Sequence, residues 1–295
     1  MASLNIVLII PYRGIGDLIF HLPLIRSLKK KFDKKIILIT NKQNKAKNLL
    51  RYENSIKKIE YTDFTRENLF NNSINLIKKI NKYKPEVSIL THYSKRLVIP
   101  FMLSKSTRKI RFKSNNIKDI AKYISNQQKI HFPNIKFLDD YKIKLPFKKN
   151  RKKNLFINID SHHNQNNWPE INFINLIEQL ILKKNLNKIY VNFAPNKINN
   201  FTTIKKKFDD HKKIHFTYEK KFDDLIHILN SCEFIIGNES GPICLGASLG
   251  KKVISLFSPN HTPHKSSGVI SSDVVYFNTI KNKKNKVITS ILNFI

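Results

Sequence analysis

The sequence predicts an α/β protein of two domains, each with a mainly parallel sheet covered by helices on both faces. Its 295 residues are enough for two domains of ordinary size. Strand-like and helix-like segments alternate through both halves, which is typical of parallel sheets. Two similar strand–turn–helix units, one after residues 6–10 and one after residues 234–236, suggest that both domains face one cleft.

The N-terminal half begins with a buried strand at residues 5–10. A helix is predicted over residues 17–32, because apolar residues recur at helical spacing and lysines gather at its C-terminal end. Residues 114–146 have no clear pattern and are expected to form loops and helices that line the cleft. The other predicted elements of this half are strands at 35–40, 56–61, 87–91 and 109–112, and helices at 45–50, 65–83 and up to 103.

A basic run at residues 148–153 separates the halves and is typical of a solvated connector. We therefore predict an N-terminal domain at 1–147, a linker at 148–153 and a C-terminal domain at 154–295. The last helix is a candidate to pack back on the N-terminal domain. Beyond the run the predicted elements are strands at 155–159, 188–193, 215–216, 234–236 and 253–257, and helices at 169–184, 199–208, 223–231 and 241–249.

The net charge of +33 comes from 54 basic residues, only 8 of them Arg. Two explanations stay open: an A/T-rich coding sequence that raises Lys, Asn and Ile together, or a cationic surface that meets anionic lipid or a polyanionic glycan. Nucleic-acid-reading surfaces usually rely on Arg, so no nucleic-acid partner is expected. A hydrophobic content of 41% indicates a folded chain.

Cys232 and Cys244 lack the spacing of a zinc site, and two cysteines do not make a disulfide framework, so a reducing compartment is expected. The apolar run at residues 4–10 is too short for a signal segment. No stretch reaches the roughly 18 apolar residues that cross a bilayer. We expect a cytoplasmic protein, either free or resting on the inner face of the cytoplasmic membrane.

Two polar turns could carry chemistry. Gly14 and Gly16 let the backbone turn sharply, and Asp17 could accept a proton from a hydroxyl nucleophile, or could simply cap the helix. The second turn begins with Asn238 and leads into a helix at Gly241. Its backbone N–H groups and the Ser240 hydroxyl could hold a diphosphate, or the turn could be only a capped helix start.

Three segments carry a family resemblance. They are residues 6–29 (IVLIIPYRGIGDLIFHLPLIRSLK), residues 166–169 (NNWP) and residues 237–259 (GNESGPICLGASLGKKVISLFSP). Together they resemble glycosyltransferase family 9, the heptosyltransferases that build the inner core of lipopolysaccharide. The segments span both predicted domains in the family's order.

The resemblance implies a GT-B architecture, with two Rossmann-like domains whose parallel sheets face a central cleft. It also implies metal-independent, inverting transfer without a cofactor, from a nucleotide sugar, foremost ADP-heptose, to a lipid-linked or other surface glycan. No DxD triplet occurs. A monomer is expected. The implied base is Asp17, and the candidates on the acceptor side are Arg13, Gly14 and His92. The implied donor-binding residues are Gly16, Asn166, Lys197, Glu239, Ser240, Gly241 and Cys244.

This sequence departs from the family pattern at the donor site. Glu239 stands where the family has Asp, Cys244 where it has His, and Asn166 where it has a Lys. Residues 194–197 (APNK) replace a small-residue turn with an acidic ribose ligand, and Lys197 could compensate. A different nucleotide sugar or a non-catalytic, glycan- or nucleotide-binding relative therefore stays an alternative.

Overall fold

The structure, a computed structural model, describes residues 5–113, 120–146, 153–161, 167–193, 202–217, 220–257, 270–271, 273–278 and 284–295. The chain divides into two compact units, Met1–Leu145 and Pro146–Ile295. Every strand pairing that the structure describes is parallel. The predicted fold class, two α/β domains with parallel sheets, is confirmed.

The N-terminal unit holds a five-stranded sheet in the order β3-β2-β1-β4-β5. A short 3-10 helix, Lys42–Asn44, follows β2. The elements in chain order are β1 Ile6–Ile10, α1 Ile15–Phe20, α2 Leu22–Phe32, β2 Ile36–Thr40, α3 Ala46–Leu49, β3 Ile56–Tyr61, α4 Leu69–Asn81, β4 Val87–Leu90, α5 Lys95–Leu103, β5 Arg108–Arg111 and α6 Ile120–His131.

The central strand β1 is apolar at every position because helices cover both of its faces. All five of its residues are buried. Its odd-numbered positions, Val7 and Ile9, share a core cluster with Leu76 and Ile80 of α4 and with Phe101 of α5. Burial on both faces explains why β1 is a continuous apolar run and does not alternate.

A buried ion pair ties the segment that leads out of this unit to α2. Arg26 of α2 donates through Nη2 to Oε2 of Glu53 at 2.6 Å, and both side chains are buried. The same guanidinium donates to the carbonyl oxygens of Asp140 and Lys142 at 2.6 and 2.7 Å. These charge-assisted hydrogen bonds from Arg26 hold residues 140–142 against α2.

The C-terminal unit holds a six-stranded sheet in the order β11-β10-β9-β6-β7-β8. Its elements in chain order are β6 Asn154–Asn158, α7 Glu170–Lys183, β7 Lys188–Asn192, α8 Thr202–Phe208, β8 Ile214–Phe216, α9 Phe222–Ser231, β9 Phe234–Asn238, α10 Gly241–Ser248, β10 Lys252–Phe257, β11 Val274–Asn278 and α11 Lys284–Phe294.

Apolar side chains of the last helix, α11, lie in the core of the C-terminal unit. Val287 and Ile291 are fully buried there, in one cluster with Leu180 of α7. The apolar residues recur at i and i+4, so this stripe has its partner within its own unit.

The predicted elements and the structure differ in two places. The helix predicted at 17–32 is two helices, since α1 begins at Ile15 and the chain bends at His21 before α2. Pro23 sits in the first turn of α2, where a missing N–H costs nothing. Strand β11 was not predicted.

Two glycines of the C-terminal unit are fixed by close packing. Gly237 in β9 has a φ of +155°, and a Cβ there would lie 2.1 Å from the carbonyl oxygen of Asn158. Gly246 in α10 faces Ile235, and a Cβ would lie 2.4 Å from the Cδ1 atom of that side chain. A Cβ at Gly237 would clash with a backbone atom, whereas a Cβ at Gly246 would clash with the flexible end of a side chain.

We therefore predict that Gly237→Ala lowers the free energy of unfolding by about 3 kcal/mol or more, whereas Gly246→Ala costs about 1–2 kcal/mol. Denaturant unfolding of the purified variants measures both. Adding Ile235→Val to Gly246→Ala should recover part of the loss. Equal costs for the two single variants would show that the backbone contact at Gly237 is not limiting.

Candidate functional site

In the N-terminal unit the polar residues gather where β1 and β4 end. These strands are neighbours in the sheet. After β1 the chain continues to β2 and β3 on one side, and after β4 it continues to β5 on the other side. In open parallel sheets such a switch point leaves a crevice at the carboxyl ends of the strands. Residues 11–14 follow β1, and residues 91–94 follow β4.

Asp17 lies at this edge as the third residue of α1. Its Oδ2 atom accepts a hydrogen bond from the backbone N–H of Gly14 at 3.1 Å. Gly14, not Asp17, is the residue before the helix, so the N-cap interpretation of Asp17 is wrong. The contact is the returning half of a capping box. A Cβ on residue 14 would lie 2.6 Å from the same oxygen, which explains the glycine.

Desolvation raises the pKa of Asp17 to about 6, and the Gly14 hydrogen bond opposes this shift only in part. Burial disfavours the charged form of a carboxyl group. Among the described residues no group other than Gly14 hydrogen-bonds this carboxylate. Asp17 is therefore a carboxylate at pH 7 that binds a proton more readily than an ordinary aspartate does.

His21 connects the backbone of Asp17 to the end of β4. Its Nδ1 atom lies 2.6 Å from the carbonyl oxygen of Asp17, and its Nε2 atom lies 3.1 Å from the Thr91 hydroxyl. Complete burial lowers the pKa of His21 to about 4, so the ring is neutral at pH 7. A carbonyl only accepts, so the proton of the neutral ring sits on Nδ1. The single proton of the Thr91 hydroxyl lies within reach of both Nε2 of His21 and the Ile9 carbonyl oxygen, each at 3.1 Å.

A row of rings continues from His21 along the same edge. The ring of Tyr12 lies 5.5 Å from that of His21 and 5.4 Å from that of His92, centre to centre. His92 stacks on Tyr93 at 5.0 Å with an interplanar angle of 5°. The Tyr12 hydroxyl donates to the Thr91 carbonyl at 3.0 Å. The residues that follow β1 and β4 thus hold each other in place.

His92, a predicted acceptor-side residue, lies in this row. Its Nδ1 atom accepts from the Ser94 N–H at 3.0 Å, which leaves Nε2 to meet a ligand. Burial and, secondarily, the charge of Arg96 lower the pKa of His92 to about 4. The predicted residues Arg13 and Gly14 are exposed beside it, whereas Gly16, predicted to bind the donor, is half-buried within α1.

Tyr123 of α6 brings a further hydroxyl to this group. Its side chain is buried, and its hydroxyl has no hydrogen-bond partner within the described part of the chain. Burial and the neighbouring Tyr93 raise its pKa to about 12, and burial together with Tyr123 raises the pKa of Tyr12. A buried hydroxyl without a partner costs free energy, so its place is suited to a ligand's polar atom.

The C-terminal unit has its own switch point, between β6 and β9. Here a chain of hydrogen bonds crosses four strand ends in one direction. Thr217 donates to Oδ1 of Asn192 at 2.8 Å, and Asn192 donates to Oδ1 of Asn158 at 2.7 Å. Asn158 then donates to the Ser240 hydroxyl oxygen at 2.9 Å. We call these four residues the strand-end chain.

The direction of the strand-end chain determines what Ser240 can do. Its oxygen already accepts from Asn158, and no described residue accepts its proton, which can therefore be donated to a ligand. Ser240 directly precedes α10, and the first turn of that helix presents the Gly241 amide. Pro242 has no N–H, and the Cys244 N–H bonds back to the Ser240 carbonyl at 3.1 Å.

Two predicted donor-site residues face inward. The Glu239 carboxylate accepts from the Ser255 hydroxyl of β10 and lies 3.9 Å from the Cys244 sulfur. Cys244 is buried within α10. Asn166 and Lys197 lie outside the described residues. Neighbouring Asn167 is described and contacts the Ser161 hydroxyl and, at 3.3 Å, Asp160.

Asn238, the last residue of β9, hydrogen-bonds the segment that follows β6 and the segment that precedes α7. Its Oδ1 atom accepts from the Trp168 N–H at 2.9 Å, and its amide nitrogen donates to the Ile159 carbonyl. Trp168 therefore lies at the carboxyl ends of β6 and β9.

A cavity of about 680 Å³ lies beside the edge strand β8. Thr217, the first member of the strand-end chain, lines it, so the chain runs from this cavity to Ser240. Lys205 and Lys220 bring positive charge to its wall. The other lining residues are Tyr190, Asp209, Ile214, His215, Phe216 and Ile228. Within the described ranges, no three His, Cys, Asp or Glu side chains come together as metal ligands would.

Sequence reasoning found Asp17, His92 and Ser240 but missed the residues that hold them: Tyr12, His21 and Thr91 in one unit, and Asn158, Asn192 and Thr217 in the other. Asn158 and Asn192 are the last residues of β6 and β7, and Thr217 is the first residue after β8. A search for polar residues at the ends of predicted strands could have found them. Their contacts, however, depend on strand order.

Comparisons with known proteins bear on the family and the fold of this chain. The family model described as glycosyltransferase family 9 (heptosyltransferase) matches residues 22–295, which begins five residues after Asp17. No curated protein sequence matches the chain.

Several solved structures share the fold. A family 9 glycosyltransferase from Veillonella parvula superposes with a TM-score of 0.76 at 16% identity, covering 99% of this chain and 90% of that one. ADP-heptose lipopolysaccharide heptosyltransferase II from E. coli gives 0.76 at 11% identity, with 99% and 98% covered. E. coli heptosyltransferase WaaC with ADP gives 0.75 at 12%, with 99% and 100% covered. Since the family model spans nearly the whole chain, this protein belongs to glycosyltransferase family 9, the heptosyltransferases.

Proposed function

We propose that this protein transfers a sugar from a nucleotide diphosphate donor, foremost heptose from ADP-heptose, to a hydroxyl of a lipopolysaccharide-core or other lipid-linked glycan. Asp17 is the general base. The C-terminal unit binds the donor, and the N-terminal unit binds the acceptor. The proposal is supported by membership of the heptosyltransferase family, and by structural neighbours that were solved with ADP and with an ADP-heptose analogue.

The reaction is a single displacement with inversion. The acceptor oxygen forms a bond to the anomeric carbon while the bond from that carbon to the diphosphate oxygen breaks. Asp17 takes the proton of the attacking hydroxyl, and the bonding electrons leave with the nucleoside diphosphate. The step needs one base on the acceptor side and donors of hydrogen bonds for the leaving diphosphate.

The observation that carries the proposal is the state of Asp17. A pKa of about 6 keeps the carboxylate ionised at pH 7 while making it a stronger base than an exposed aspartate. The Gly14 amide holds one carboxylate oxygen and leaves the other for the substrate. Nearby, the neutral His92 ring and the Tyr123 hydroxyl are suited to bind sugar hydroxyls.

On the donor side the strand-end chain supports a diphosphate contact. Three consecutive hydrogen bonds in one direction polarise each other and aim the Ser240 proton outward, next to the Gly241 amide. The cavity at Thr217 has room for the nucleoside part of a donor. Lys205 and Lys220 on its wall add the positive charge that a diphosphate attracts.

A donor other than ADP-heptose is the second candidate, and the contacts of two donor-site residues support it. Glu239 is bonded to Ser255, and Cys244 is buried, so two positions that the resemblance assigns to donor contacts are occupied with each other and with β10. A thermal-shift screen of nucleoside diphosphates and their sugars separates the cases, since a bound ligand raises the melting temperature. We expect ADP or ADP-heptose to give the largest shift. A larger shift with another nucleotide would reassign the donor, and no shift with any would contradict donor binding.

Asp17→Asn should abolish transfer, with a loss of about 10²–10⁴-fold in kcat, and should stabilise the fold at high pH. The Asn oxygen can still accept from Gly14, so the helix start is kept. Because the folded pKa of Asp17 lies above the unfolded value of 3.8, the wild type loses stability as the pH rises from about 4 to 6. Above pH 6 the cost is constant, at about 1–3 kcal/mol.

Unfolding curves of both proteins at pH 4 and pH 8 measure this cost. The stability advantage of Asp17→Asn should be larger at pH 8. Transfer by the variant at the wild-type rate would remove Asp17 from the mechanism.

Ser240→Ala should lower kcat for transfer by about 10²-fold, because one donor to the leaving diphosphate is lost. Asn158 keeps its second acceptor, the Asp160 carbonyl, so the fold should be little affected. The matched control is Ser248→Ala, whose hydroxyl donates to the Leu245 carbonyl at 2.8 Å in the last turn of α10. Steady-state kinetics with saturating donor measure the effect, and equal rates for both variants would contradict the role of Ser240.

A further inference from the structure

Exposed apolar side chains of the N-terminal unit gather on two adjacent helices. Of the ten large apolar side chains that stand exposed among the described residues, eight belong to this unit. Ile99, Met102 and Leu103 of α5 are 60, 54 and 68% exposed, and Phe70 of α4 is 77% exposed. Scattered exposed apolar residues need no explanation, but a continuous group of them marks an interaction surface.

Helical spacing and packing join these residues into one surface. Ile99, Met102 and Leu103 stand at i, i+3 and i+4 and so lie on one side of α5. The opposite side is buried, with Val98 and Phe101 in the core. Helices α4 and α5 pack together, and Leu69 of α4 lines a narrow pocket with Arg96 and Pro100 of α5. We call Leu69, Phe70, Ile99, Met102 and Leu103 the α4–α5 face.

The border of this face is basic. Residues 87–113 contain seven Lys and Arg and no Asp or Glu. Lys95 and Lys105, at the two ends of α5, are exposed, and so is Arg66 ahead of α4. The acidic side chains near the face are Asp63 and Glu67, on the α4 side only. The N-terminal unit as a whole has 31 Lys and Arg against 10 Asp and Glu, a net charge of +21, whereas the C-terminal unit carries +12.

We propose that the α4–α5 face docks the N-terminal unit onto an anionic lipid bilayer. The apolar side chains enter the headgroup region, and the lysines at the ends of α5 meet lipid phosphates. Within the described residues no helix is long and apolar enough to cross a membrane, and α5 has nine residues, so contact is limited to one leaflet. The bilayer fits better than a protein partner because the border carries one sign of charge around α5.

The position of the face gives this contact a use. Helix α5 starts directly after the loop that holds His92 and Tyr93, and Tyr93 is itself exposed. A bilayer against α5 would therefore hold a lipid-linked glycan within reach of the edge where Asp17 lies. This use rests on the proposed function, whereas binding to lipid does not.

Vesicle co-sedimentation of the full chain tests the docking without donor or acceptor. The wild type should bind vesicles of phosphatidylglycerol and phosphatidylcholine, and should bind pure phosphatidylcholine at least tenfold more weakly. Ile99→Ser, Met102→Ser and Leu103→Ser together should lower binding at least tenfold. The matched control is Ile171→Ser with Leu182→Ser, two exposed residues of the C-terminal unit. All replaced side chains are exposed, so the melting temperatures should stay close to that of the wild type.

A second pair of variants tests the charge. Lys95→Gln with Lys105→Gln should weaken binding roughly fivefold per charge, and Lys183→Gln with Lys188→Gln should leave it unchanged. Equal loss in the α5 and control variants, or equal binding to both kinds of vesicle, would overturn the proposal. So would a dimer in sedimentation that the triple Ser variant dissociates, since the face would then be covered by a second copy. Vesicle binding by Asp17→Asn at the wild-type level separates docking from catalysis.

Discussion

The contact between the Asp17 carboxylate and the Gly14 amide is the constraint on which the N-terminal site depends. One hydrogen bond is too little to offset the desolvation of a carboxylate, and the pKa of Asp17 rises to about 6 for that reason. The neighbours reinforce this state, because they are aromatic or neutral. His21 and His92 both have pKa values lowered to about 4 and bring no positive charge at pH 7. The site keeps a reactive base at the expense of stability.

The donor-side site follows a different rule. There the strand ends carry amides and hydroxyls, and each is satisfied by its neighbour along the strand-end chain. Such a network is rigid without any buried charge. Glu239 and Cys244, two departures from the family pattern, contact each other, and Glu239 also accepts a hydrogen bond from Ser255. In the proposed mechanism the reaction depends on Asp17, whereas the choice of donor depends on how these strand ends bind a nucleotide.

The sequence predicted most strands, because burial on both faces makes them continuous apolar runs, as in β1 and β9. It also identified Asp17 and Ser240 from the turns that hold them. It could not supply the Tyr12–His21–Thr91 contacts or the strand-end chain. The contacts of His21 and Tyr12 with Thr91 join residues 70 and 79 positions apart, and the strand-end chain joins residues up to 82 apart. These contacts depend on which strands are neighbours. The break at His21 was missed because apolar spacing continues from α1 into α2.

The pH dependence of kcat/KM for sugar transfer tests the central claim most directly, since it reports the ionisation of the base in the free enzyme. The account predicts that kcat/KM of the wild type falls tenfold per pH unit on the acid side, with a pKa of about 6, while the melting temperature stays high enough to exclude unfolding. An acid limb near pH 4, the ordinary value for an aspartate, would contradict it.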